Sequence, residues 1–185
     1  MESWRRGIEF MLEARTFVDT LDSAKEILEK ENAIFRGHYV IHDYIFVSKD
    51  KSLPFEKLFL RLRLIPVNIW NEKNVVVAIK ETELMEVGKN SIVPVRKEFD
   101  TEEEERAFIE ENYSETFEFV YDFEREGWQY DIGNDQVDLE DIEGHPSIEF
   151  KSNTADGLQK LLNTFNIKNT IKGPSAVEVR KILNI

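Results

Sequence analysis

Over most of its length the chain alternates apolar and polar residues at every second position, the period expected of strands with two unlike faces. Runs at 38–48, 57–66, 74–82, 92–100, 117–131 and 136–151 follow it, the last divided into two strands at Gly144-His145-Pro146. Residues 8–17, IEFMLEARTF, give one more, with Glu9, Met11, Glu13, Arg15 and Phe17 on one face and Phe10, Leu12 and Ala14 on the other. Asn71-Glu72-Lys73-Asn74, Gly88-Lys89-Asn90 and Gly133-Asn134-Asp135 supply turn residues between runs. Helical signals interrupt them. Ser23 and Glu26 spell a capping box before Ala24, Ile27 and Leu28, and Thr101 precedes a helix over 101–112. Thr154 precedes another over 154–166, and Ser175 with Glu178 opens a last helix whose Val177, Val179, Ile182 and Leu183 suit packing on a sheet. The order predicts an α+β fold: an eight-stranded antiparallel sheet curled or closed into a β-barrel, with helices packed outside.

One phase of the alternation carries charge. In FLRLRLI, residues 59–65, Leu60, Leu62 and Leu64 face one way, while Phe59, Arg61, Arg63 and Ile65 face the other. If the leucines lie under helices, the arginines point into whatever the sheet encloses. Lys80 shares a face with Val76 and Ala78; Arg96 with Glu98 and Asp100; Arg125 with Tyr121 and Phe123; Lys151 with Ser147 and Glu149. Together with Glu13 and Arg15 these would make one cavity of seven cations opposed by Glu13, Glu98, Asp100 and Glu149. Such a cavity must be hydrated, internally paired or ready for an anion, since an unpaired buried ion costs several kcal/mol. By itself the pattern equally describes an open sheet with a wet, charged face.

Composition narrows the partners. The 185 residues fit one domain over 1–185, and a formal net charge of −13 argues against a surface that holds duplex nucleic acid or anionic lipid. Any polyanion must meet a local concentration of cations. With no cysteine, disulfides and thiolate metal sites are excluded, and a cytoplasmic location is expected. No stretch has the apolar length of a signal h-region or a membrane span.

Taken in order, these residues resemble the CYTH domains, or triphosphate tunnel metalloenzymes, a family that includes thiamine triphosphatases, inorganic tripolyphosphatases and class IV adenylyl cyclases. The resemblance runs from about residue 8 to 182. The family's opening E-x-E-x-K is similar to Met11, Glu13 and Arg15; its D-x-Y-F to Asp43-Tyr44-Ile45-Phe46; its L-R-x-R to Leu60-Arg61-Leu62-Arg63; its strand ending in Lys to Lys80. Arg96, Glu98 and Asp100 resemble R-x-E-x-E. Arg125 with Trp128, the acidic Glu140-Asp141 before Glu143-Gly144, and Glu149 with Lys151 for the closing E-x-E complete the series.

The resemblance implies an eight-stranded tunnel in which cations grip a small-molecule triphosphate and carboxylates hold Mg²⁺ or Mn²⁺, in a monomer or homodimer. Arg61, Arg63, Lys80, Arg96, Arg125 and Lys151 would bind substrate, Glu13, Glu98 and Glu149 the metal, and Arg15 and Asp100 would assist catalysis. Arginine suits phosphate because it donates two bonds at once, whereas a hard divalent ion needs carboxylate oxygens. Two positions depart from the pattern: Met11 and Lys151 stand where metal-ligand glutamates are expected. A metal-dependent hydrolase of an inorganic or organic triphosphate is the leading expectation. A non-catalytic phosphate- or nucleotide-binding module, a class IV-type cyclase and a ligand-free interaction barrel are the alternatives.

Other signals favour ordinary roles. His38 and His42 have zinc-pair spacing only on a helix, and their segment is β-rich. Glu102 to Glu105 suit a helix N-terminus, Trp70 and Trp128 suit packing, and Gly173-Pro174-Ser175 lacks the spacing of a phosphate loop.

Overall fold

A computed structural model describes residues 11–70, 73–171 and 175–184. Glu9 and the rest of 8–10, the Asn71-Glu72 half of one expected turn, and Gly173-Pro174 lie outside the described residues. The elements are β1 (Leu12–Phe17), α1 (Asp22–Lys30), β2 (Ile34–Ser48), β3 (Leu58–Val67), β4 (Val75–Leu84), β5 (Lys89–Phe99), α2 (Glu102–Tyr113), β6 (Phe117–Ile132), β7 (Asp135–Ile142), β8 (His145–Ser152), α3 (Ala155–Thr164) and α4 (Ser175–Leu183). The eight strands pair antiparallel in the order β1-β5-β4-β3-β2-β6-β7-β8 and close into a ring. Among the described residues no helix is long and apolar enough to cross a membrane.

The alternation assigns the two faces as expected. Outward, Leu60, Leu62, Val75 and Val77 pack under Phe108 and Ile109 of α2, while Leu12, Ala14, Leu139 and Phe150 pack under Leu28 of α1 and Leu158, Leu161 and Leu162 of α3. Burying each such aliphatic side chain contributes roughly 1.5–3 kcal/mol, so these faces anchor the helices. Thr101 and Thr154 cap α2 and α3 by accepting from the amides of Glu104 and Gly157.

Three local expectations change. Helix α1 begins at Asp22 with Leu21 at its cap position and no side-chain cap, so Ser23 falls inside the first turn and no capping box forms. Lys89 and Asn90, expected in a turn, open β5. Gly88 makes the approach possible: its φ is +74°, and a Cβ there would lie 2.4 Å from the backbone oxygen of Glu13. Helix α4 does not lie on the outer surface. Its Ala176 and Val179 pack with Ile45, Phe59, Tyr121 and Phe123, all on inward-facing positions, and so close one end of the interior.

Towards the other end, Tyr39, Ile41, Ile65 and Val76 form an apolar layer that meets Ile69 and Trp70. Ionic side chains fill the space between the two layers.

Candidate functional site: a cationic tunnel

The charged layer is organised around carboxylates. Arg15, fully buried on β1, donates through Nη1 to Glu140 and to Ser147 Oγ at 2.7 Å, and its Nη2 lies 2.8 Å from Glu149 Oε1. Glu140 also accepts from Tyr39 Oη at 2.5 Å and Arg125 Nη1 at 3.2 Å. Tyr39 fits because Gly127 stands opposite: a Cβ there would sit 2.2 Å from the ring's Cζ. Burial opposes charge on Arg15 and Glu140 alike, but their mutual attraction, with Glu149 and Arg125 added, outweighs it. The guanidinium is driven above and the carboxyl below the ordinary range.

Asp43 collects the arginines of neighbouring strands. Arg63 binds it through Nε at 2.7 Å and Nη2 at 2.8 Å, Arg125 Nη2 is 3.5 Å away, and Arg61 Nε 3.7 Å. Burial resists its ionisation, yet Arg63, Arg61 and Arg125 together hold the carboxyl well below the usual range. At a third point Lys151 Nζ lies 2.6 Å from Asp138 and 3.1 Å from Glu149. Burial opposes the ammonium, and Asp138 and Glu149 overcome it.

Beside these pairs is a cavity of about 130 Å³, lined by Glu13, Asp43, Arg61, Arg63, Lys80, Lys89, Arg125, Glu149 and Lys151 among others. That is ample for several waters or a polyatomic anion, since one water needs only ~15 Å³ by the same measure. Two of these cations, Arg61 and Lys80, are less fully met by carboxylates than Arg63, Arg125 and Lys151. Arg61 Nε is buried without a hydrogen-bond partner, and burial together with adjacent Arg63 pushes the group down to about 9. Burial and Arg61 push the Lys80 ammonium down to about 7. Lys89 is also lowered, by burial, with Glu13 and Glu149 offsetting part of the effect.

The structure thus brings together Glu13, Arg61, Arg63, Lys80, Arg125, Glu149 and Lys151 from the sequence-derived set, with Arg15 bound to Glu149 beneath them. It does not bring in three others. Arg96 and Glu98 pair in register with Ala78 and Val76, but are half-exposed, 3.4 Å from each other, and do not line the cavity. Asp100 is exposed and paired with Lys73 at 2.7 Å, outside the tunnel. His38 and His42 bind Glu126 and Asp122 separately, at 2.7 and 2.6 Å.

Tyr39, Lys89 and Asp138 are not among the residues expected in the site, Asp43 is expected only as part of a motif, and Glu140 only as part of an acidic turn. Asp138 and Glu140 were accessible to sequence reasoning: in DQVDLEDI they alternate with Val137 and Leu139, the spacing of an inward face. Lys89 was hidden by the turn signal of its glycine neighbour.

The eight-stranded ring with an ionic interior defines the class of fold, that of the CYTH-type tunnel proteins, and solved structures agree. A Pyrococcus horikoshii OT3 protein superposes with a TM-score of 0.75 at 16% identity, covering 95% of this chain and 99% of its own. The Hippeastrum protein HpAC1, an adenylyl cyclase candidate with a dominant triphosphatase activity, gives 0.65 at 15% identity, covering 94% and 95%. A Vibrio parahaemolyticus adenylate cyclase candidate gives 0.64 at 12%, covering 93% and 98%. At these identities the likeness shows the fold. No family model matches the sequence, and no curated protein does.

A divalent metal is what the resemblance in sequence leads one to expect, and one acidic group has suitable spacing. Asp138, Glu140 and Glu149 are buried and place ligand oxygens within 4.8 Å of one another, a set that could hold a metal ion. Their charge, however, is already met by Lys151, Arg15 and Arg125. A dication would have to enter beside an ammonium 2.6 Å from Asp138, so in this arrangement the residues do not fit it. Glu98, one of the expected metal ligands, is held at Arg96 instead.

Proposed function

We propose that the tunnel binds a phosphate-rich small molecule of the triphosphate class, with Arg61, Arg63, Lys80, Lys89, Arg125 and Lys151 as its cationic contacts. The observation that carries this reading is Arg61, whose Nε is buried without a hydrogen-bond partner, beside Lys80 on the wall of a cavity lined by cations from several strands. A polyanion would supply the missing counter-charge. Its phosphoryl oxygens suit guanidinium groups, and several strands contribute donors at once, which favours an extended chain of phosphates over a single one.

Hydrolysis is the second reading, favoured by the triphosphatase activity of the Hippeastrum neighbour with the same fold. Water would attack the terminal phosphorus and break one P–O anhydride bond, giving orthophosphate and the shortened chain. Cation-lined walls serve that reaction by neutralising charge on the transferring group. Glu13 lines the cavity and accepts from Ser91 Oγ at 2.9 Å, and in this reading it would orient the water.

Calorimetric titration with tripolyphosphate, thiamine triphosphate and ATP tests binding, and release of orthophosphate or cyclic nucleotide tests turnover. The expected result is saturable binding that weakens roughly tenfold to a hundredfold in Arg61→Met, the loss of one charge-assisted contact of about 1.5–3 kcal/mol. Absence of binding by all three compounds to the folded protein would overturn the reading.

A further inference from the structure

The acidic trio of β7 and β8 already contains a cation. Lys151 Nζ sits 2.6 Å from Asp138 and 3.1 Å from Glu149, and its side chain is 18% exposed beside carboxylates that are 1% and 9% exposed. It reaches them from within β8, where Lys151 pairs in register with Gln136 on one side and Glu13 on the other. No loop carries it. Gln136 Nε2 donates to both oxygens of Asp138 at 3.0 Å, which fixes that carboxylate towards the ammonium. The remaining member, Glu140, is occupied by Arg15, Arg125 and Tyr39.

We infer that the ammonium of Lys151 is the resident cation of this trio, and that the tunnel engages its phosphate-rich ligand without a divalent metal ion. The inference rests on the anion-binding reading above and specifies how that site works. Two physical points support it. Magnesium requires near-octahedral oxygen coordination with carboxylates free to bind it, and none of these three is free. An ammonium has three donors; two carboxylates take two, and because Lys151 also lines the cavity its third is available to a phosphate oxygen. It can therefore bridge protein carboxylate and ligand phosphate.

The test separates the metal from the anion. Mn²⁺ is titrated into the protein without any phosphate compound and followed by the amplitude of its free-ion paramagnetic resonance signal. Wild type is expected to leave that signal unchanged, whereas folded Lys151→Glu or Lys151→Gln variants should capture about one Mn²⁺ per chain. In parallel, wild-type binding of tripolyphosphate, measured by calorimetry in excess EDTA, is expected to persist. Stoichiometric Mn²⁺ capture by wild type that Glu149→Gln abolishes would overturn the inference. So would tripolyphosphate binding that vanishes in EDTA and returns with Mn²⁺, or failure of both folded Lys151 variants to gain the ion. If tripolyphosphate fails to bind with or without metal, the anion reading falls, and the Mn²⁺ titration still decides the role of Lys151.

Discussion

At the scale of single residues, the tunnel contains two kinds of charge that behave oppositely. Arg15 and Glu140 are enclosed and mutually satisfied, so removing either leaves the other buried and unpaired. Glu140→Ala is expected to destabilise the fold by about 3–5 kcal/mol, measured by urea denaturation at neutral pH. Lys80 is the reverse case. Its folded value, about 7, lies below that of a free lysine, so the folded protein binds fewer protons than the unfolded chain between about pH 7 and 10.5. Stability without ligand should therefore rise with pH across that window. Anion affinity should fall across it, by up to about tenfold per pH unit, because the proposed contact to the ligand is made by the charged ammonium. Calorimetry from pH 7 to 9 checks this, with Lys80→Arg expected to flatten the profile; an unchanged slope in that variant would remove Lys80 from the site. Arg61, Arg63 and Lys80 were legible in the sequence because charge stood on one phase of apolar strands. Lys89 was not, since a lysine after Gly88 looks the same in a turn and in the first position of a strand.

At the scale of elements, the site depends on how strands and helices present these groups. Gly127 on β6 leaves room for the Tyr39 ring that binds Glu140. Gly127→Ala should displace the ring and cost about 1–3 kcal/mol, an overpacking penalty read as a lower thermal midpoint. In α2, Glu105 is almost wholly buried, and neither carboxylate oxygen has a partner. Burial, slightly offset by Arg106, pushes it up to about 7. Glu105→Leu should stabilise the protein by about 1–3 kcal/mol at pH 8, with a smaller gain at pH 5 where the acid is already protonated. The helices were legible from spacing and from Thr101 and Thr154. The start of α1 was not, because a capping-box spelling at Ser23 carries no information on whether the preceding residue has already entered the helix. Nor was the position of α4: an amphipathic stripe states that one face is buried, and leaves open whether it meets the outside of a barrel or its end.

At the scale of the molecule, a chain of net charge −13 encloses a positive centre. Its acidic residues lie mostly outside, and the interior carboxylates serve to hold cations from β1, β3, β6 and β8 around one hollow. Among the described residues, β1 meets β5 at Leu12 with Asn90 and Glu13 with Lys89, and pairs with β8 over Leu12–Phe17. Glu13 and Lys89, the second of these pairs, both line the cavity, so an anion bound there as proposed would touch the strands that close the ring. A bound anion is accordingly expected to slow amide exchange along β1 and β5, which hydrogen-exchange mass spectrometry would register. The closed eight-stranded architecture was legible from strand number and one-sided charge together with the motif order. Which carboxylates pair with which cations was not, because that depends on register between strands far apart in sequence, as with Arg15 and Glu140. The most direct measurement is a crystal structure of the protein grown with tripolyphosphate. A phosphate chain is expected between α4 and the Trp70 layer, its oxygens within hydrogen-bond distance of Arg61, Arg63, Lys80 and Arg125. A tunnel that holds only water at saturating tripolyphosphate, or a chain bound on the outer surface, would contradict that expectation.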